Sequence, residues 1–74
     1  METIAKNNTH ALLIDKIGTE YWIELVNRAT GQVQIMRAKR KDKAMGIFKG
    51  MTIEQIIPFY RGIKPEPMYK AGVI

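Results

Sequence analysis

Neither cysteine nor serine occurs in this chain, and histidine occurs once, at His10. Nucleophilic catalysis needs a hydroxyl or thiol beside a base that takes its proton. Here the threonines would have to rely on one imidazole. His10 heads an apolar run and is read as a surface or half-buried strand-end residue. Without cysteine there is no disulfide and no thiolate metal site, and one histidine makes no multi-histidine site. The acids are Glu2, Asp15, Glu20, Glu24, Asp42, Glu54 and Glu66. No two stand at a spacing that suggests a converging carboxyl pair. Glu20 and Glu24 flank Trp22 along one strand face, which is read as open sheet surface. Gly46 and Gly50 are isolated and belong to no phosphate-cradling loop. No catalytic, cofactor-binding or metal-ligating residue is assigned, and a role other than that of a self-sufficient enzyme is expected.

Charge is the stronger signal. The net charge is +5, and Arg28, Arg37, Lys39, Arg40, Lys41, Lys43 and Lys49 are seven of the twelve basic residues. Five of them fall in the seven positions from Arg37 to Lys43, opposed only by Asp42. Such a patch can neutralise phosphates with little sequence preference, or it can steer the chain onto an acidic protein surface. Readers of single-stranded nucleic acid add exposed aromatic platforms. Trp22 is the one candidate, lying opposite the face that carries Tyr21, Ile23 and Leu25. The site residues proposed from sequence are therefore Arg28, Arg37, Lys39, Arg40, Lys41, Lys43, Lys49 and Trp22. The expected partner is the acidic surface of a larger protein complex, with nucleic acid as the alternative.

The elements that must position these residues follow from periodicity. Residues 1–9 contain Asn7-Asn8-Thr9 and little pattern, and read as a flexible N-terminal arm. Residues 10–15 form a short strand, turned at Gly18. Residues 20–28 alternate, with Tyr21, Ile23 and Leu25 on one face. The same stretch also fits a helix capped by Thr19, but Thr30-Gly31 and the alternating Val33-Gln34-Ile35-Met36-Arg37 favour a hairpin. Residues 44–48 are read as a fourth strand returning to the sheet. Thr52 and Gln55 have capping-box spacing, Met51 can staple onto Ile56, and Ile53, Ile56, Ile57 and Tyr60 share a helical face. Pro58 should shorten or kink that helix, which ends at Gly62. Residues 63–74, with Pro65 and Pro67, read as an extended tail able to lie along a groove or to add a strand to a sheet. The expected fold is α+β: one domain over residues 10–62, a three- to four-stranded antiparallel meander covered by one short C-terminal helix.

Seventy-four residues suit one domain with a thin core. The longest apolar run, Ala11 to Ile14, is far short of the ~20 residues that span a bilayer. With no basic, apolar leader at Met1 to Ile4, a cytoplasmic protein without membrane contact is expected. A monomer or weak homo-oligomer would suit its size. In size, basicity and lack of motif the chain is similar in general character to small phage-encoded regulators that bind RNA polymerase, nucleases or defence complexes. That likeness implies a regulatory adaptor. Two alternatives stand beside it. One is direct, largely sequence-independent binding of DNA or RNA. The other is an assembly subunit with Trp22, Val26 and Met36 as its contact face.

Overall fold

A computed structural model of the chain describes residues 2–74. Five strands form one antiparallel sheet in sequence order: β1 (Glu2–Lys6), β2 (His10–Ile17), β3 (Glu20–Asn27), β4 (Gln32–Ala38) and β5 (Glu66–Pro67). Two short helices, α1 (Lys41–Gly46) and α2 (Ile53–Ile56), precede a 3-10 turn over Ile57–Tyr60. The class is α+β, with five strands where three or four were expected.

The sheet buries both faces, and the β2–β3–β4 register decides which residue goes where. Ile14, Ile23 and Met36 lie across from one another, as do Leu12, Leu25 and Gln34. These rows form the first face, covered by Ala44, Phe48, Ile53, Ile56 and Tyr60. Alternation puts the intervening residues on the other side. Its rows are Asp15–Trp22–Arg37, Leu13–Glu24–Ile35 and Ala11–Val26–Val33. Tyr69 and Ile74 of the C-terminal segment pack against this second face.

The local signals explain the turns. Gly18 and Gly31 take φ values of 62° and 76°, where a side chain would be strained. Asn27 Oδ1 accepts hydrogen bonds from the Ala29 and Thr30 amides at 3.0 and 3.2 Å, shaping the β3–β4 turn. Thr52 caps α2 through a complete capping box with Gln55. The helix then tightens into the 3-10 turn, in which Pro58 stands near the start, where its missing donor is not needed.

Three expectations are corrected. Of the expected arm over residues 1–9, residue 1 lies outside the described residues and Glu2–Lys6 is strand β1, in which a register shift between Thr3 and Ala5 lets both Ile4 and Ala5 pack on the first face. Residues 44–48 are no fourth strand: Ala44 belongs to α1, and Ala44 and Phe48, four apart, bury together at helical spacing. The tail is docked. Glu66 and Pro67 pair with the β4 edge, and the Tyr69 and Gly72 amides donate to the carbonyls of Gly31 and Arg28 at 3.2 and 3.0 Å. Proline is tolerated there because an edge strand can lack a donor. The extended tail thus adds a strand to its own sheet.

Candidate functional site: a basic groove and a buried glutamate

The end of β4 runs into α1 within three residues, and this sharp connection folds the basic run around a groove. Arg37, Lys39, Arg40 and Lys43 line about 340 Å³ of it, with Ala38 and Ile47 as apolar lining. Arg40 is held by Asp42 through a two-pronged contact, 3.1 Å at Nε and 2.7 Å at the guanidinium tip. That guanidinium keeps the Asp42 carboxyl below its ordinary range. The pair is exposed and contributes little to stability. Its effect is to orient Arg40. Among the described residues, Lys39 and Lys43 pair with no carboxylate.

The other basic residues proposed from sequence go elsewhere. Lys41 pairs with Glu2 at 3.3 Å. Lys49 stands with Asp42, Met45 and Gly46 around a separate hollow. Arg28 lies at the opposite end of the hairpin from Arg37, where it donates to the Asn7 carbonyl at 2.6 Å and to the Ile74 carbonyl at 3.1 Å. Seven cations near in sequence become four around one groove and three apart from it. Trp22 is half-buried, with the Arg37 guanidinium 4.8 Å above its ring. A ring covered in this way offers no free platform to a base. The contact face imagined for an assembly subunit is also not one surface: Val26 is fully buried on the second face, and Met36 packs on the first.

The second cluster was missed from sequence. Glu24 is wholly buried at the centre of the second face, not on an open surface. Tyr69 Oη donates to Glu24 Oε1 at 2.6 Å and lies 3.3 Å from Asp15 Oδ2. Burial is the main cause that pushes the Glu24 carboxyl up to about 7, and the neighbouring Asp15 charge adds to it. The Tyr69 hydroxyl is raised above its ordinary range by burial and by the same two carboxyls. Glu24 Oε2 and Trp22 Nε1 are buried with no hydrogen-bond partner among the described residues. The β2–β3 register places Asp15 one row from Glu24, a signal available once the hairpin is drawn. Tyr69, forty-five residues away, gave no such signal.

The first face also keeps its polar groups satisfied. Tyr60 Oη donates to the Ile23 carbonyl at 2.9 Å, and Gln34 Nε2 donates to the carbonyls of Tyr60 and Ile63 at 2.9 and 2.8 Å. These bonds fix the end of the 3-10 turn against the sheet. His10 borders a smaller hollow with Asn27, Gln32 and Gln34, and burial lowers its pKa. Among the described residues no group of three or more histidine, aspartate or glutamate side chains is placed to hold a metal ion, and no helix is long and apolar enough to cross a membrane. No family model, curated protein or solved structure matches the chain.

Proposed function

We propose that this protein is a non-enzymatic regulatory adaptor that docks on an acidic surface of a larger protein machine handling nucleic acid. One observation carries this reading: four cations surround a groove with apolar lining at the β4–α1 junction. An acidic protein segment that also presents an aliphatic or aromatic side chain satisfies both parts. A phosphate backbone satisfies only the charge. Trp22, the aromatic that would stack a base, lies beneath Arg37. Electrostatic steering would bring the partner in, and contact with Ile47 and Ala38 would hold it.

The test is affinity capture from nuclease-treated lysate with the wild type and with Lys39→Glu/Lys43→Glu. Both positions are exposed, so the fold should survive the change. The adaptor reading expects one large complex on the wild type and its loss with the variant. Capture that vanishes on nuclease treatment, together with direct DNA or RNA binding that weakens steeply with salt, would replace it with nucleic-acid binding.

A further inference from the structure

We propose that the second sheet face is a proton-gated docking surface whose resident occupant is this chain's own C-terminal strap, residues 66–74, closed while Glu24 carries a proton and lifting when it ionises. The inference does not depend on the adaptor reading.

The strap is built to seat on this face. Its two-residue strand pairs with Gln32 and Val33 on the β4 edge. Bonds to the β3–β4 turn hold the rest: Tyr69 amide to Gly31 carbonyl, Gly72 amide to Arg28 carbonyl, and Arg28 Nε to the Ile74 carbonyl. Gly31 is shaped for the contact, because a Cβ there would collide with the Tyr69 carbonyl. Beneath the strap lie Ala11, Leu13, Val26, Val33 and Ile35, an apolar surface interrupted at its centre by Glu24, which Tyr69 and Ile74 help to cover. Lifting the strap would expose that surface and the β4 edge together, the combination that accepts an added strand.

Glu24 controls the fit. A wholly buried carboxylate needs partners for its charge, and here one oxygen accepts from Tyr69 while the other has none among the described residues. The charged groups around it do not supply that partner. Asp15 from β2 adds like charge, and only the hydrogen bond from Tyr69 favours the ionised form among the described residues. Arg37 from β4 stands one row off and is stacked on Trp22. Thr3 of β1, Leu13 and Ile35 complete the row without charge. A protonated Glu24 can accept from Tyr69 and donate to Asp15. An ionised one cannot donate, and it regains water only if Tyr69 leaves.

The sign follows from linkage. Through the part of the burial that the strap supplies, closure binds a proton that the open strap releases within the window bounded by the ordinary glutamate value of 4.5 and about 7. Over that window the opening constant rises by up to about tenfold per pH unit, and above it the constant is flat. Amide hydrogen exchange on the intact chain reads this at Tyr69 and Gly72, after correction for intrinsic exchange. Strap amides should lose protection from pH 5 to 7, independently of β2 and β3 amides. Glu24→Gln, which keeps an acceptor for Tyr69 and adds a donor for Asp15, should abolish the dependence. In the wild type the Glu24 carboxyl carbon resonance should titrate at the midpoint of the strap transition. That measurement stands even if the variant does not fold. Three results would overturn the proposal: equal wild-type protection at pH 5 and 7.5, an unchanged slope in Glu24→Gln, or strap amides that exchange only with the whole sheet.

Discussion

The Arg28 guanidinium donates to the carbonyls of Asn7 and Ile74, and so joins the β1–β2 turn, the β3–β4 turn and the C-terminal segment. Lys39 carries the same charge but faces the groove and, among the described residues, pairs with no carboxylate. The environments predict opposite outcomes for the same substitution. Arg28→Ala leaves two carbonyls without their donors, and bonds to a charged group contribute roughly 1.5–3 kcal/mol each. The loss should fall toward the lower end, since Arg28 is only half-buried and water can replace part of it. Lys39→Ala should stay within about 0.5 kcal/mol of the wild type, as for an ordinary surface position. Urea unfolding of both variants decides the matter, and equal losses would remove the distinction between a structural and a free cation. In binding the order reverses: Lys39→Ala should weaken capture by the partner, and Arg28→Ala should leave it intact wherever the variant is folded.

At the level of elements, α2 has only four residues, too few to be stable from its own backbone bonds. It depends on the Thr52–Gln55 capping box at one end and on burial of Ile53 and Ile56 against the sheet. Thr52→Ala should lower stability by about 1 kcal/mol, the usual loss at a capping position. For a domain of this size that is a fall in Tm of roughly 4–8 °C. A variant melting with the wild type would mean that packing alone holds the helix. The capping box was legible in the sequence because its partners stand three residues apart, and so was the hairpin, whose Thr30-Gly31 turn and two alternating runs are contiguous. β1 was not legible. Its pattern is blurred by the register shift at Ile4, and its partner lies across a turn whose Asn7-Asn8-Thr9 reads equally well as disorder. In α1 the apolar residues are few enough to fit either period, and only the sheet beneath selects the spacing that buries Ala44 with Phe48. For the site, the basic run marked the groove at Arg37, Lys39, Arg40 and Lys43. Whether a cation lines that groove or pairs elsewhere, as Arg28 and Lys41 do, depends on contacts far along the chain.

For the whole molecule, one sheet with two covered faces couples pH to stability through two groups of opposite sense. His10 has its pKa lowered by burial, so the unfolded chain binds more protons below 6.5 and this contribution to stability is lost as pH falls. Glu24 is raised from 4.5 to about 7, so the folded chain binds more protons in that window and stability is lost as pH rises through it. The two partly cancel in the wild type, and the raw curve of Tm against pH need not reveal either. Glu24→Gln isolates the second, because His10 is common to both proteins. The variant should gain on the wild type from pH 5 to 7 and hold a constant advantage above. A rigidly closed face would make that advantage on the order of 3 kcal/mol, the free-energy equivalent of the full shift. A strap that lifts on its own sets a lower ceiling. Once it is open, Glu24 is hydrated and ionised without further strain, so the advantage cannot exceed what closure of residues 66–74 contributes to the fold. The plateau of the Tm difference therefore measures strap closure. It should agree with the opening free energy read from the Tyr69 and Gly72 amides in the Glu24→Gln variant, where the gate is absent. A plateau well above that value would mean that the second face stays shut over an ionised Glu24, and that the strap is part of the core.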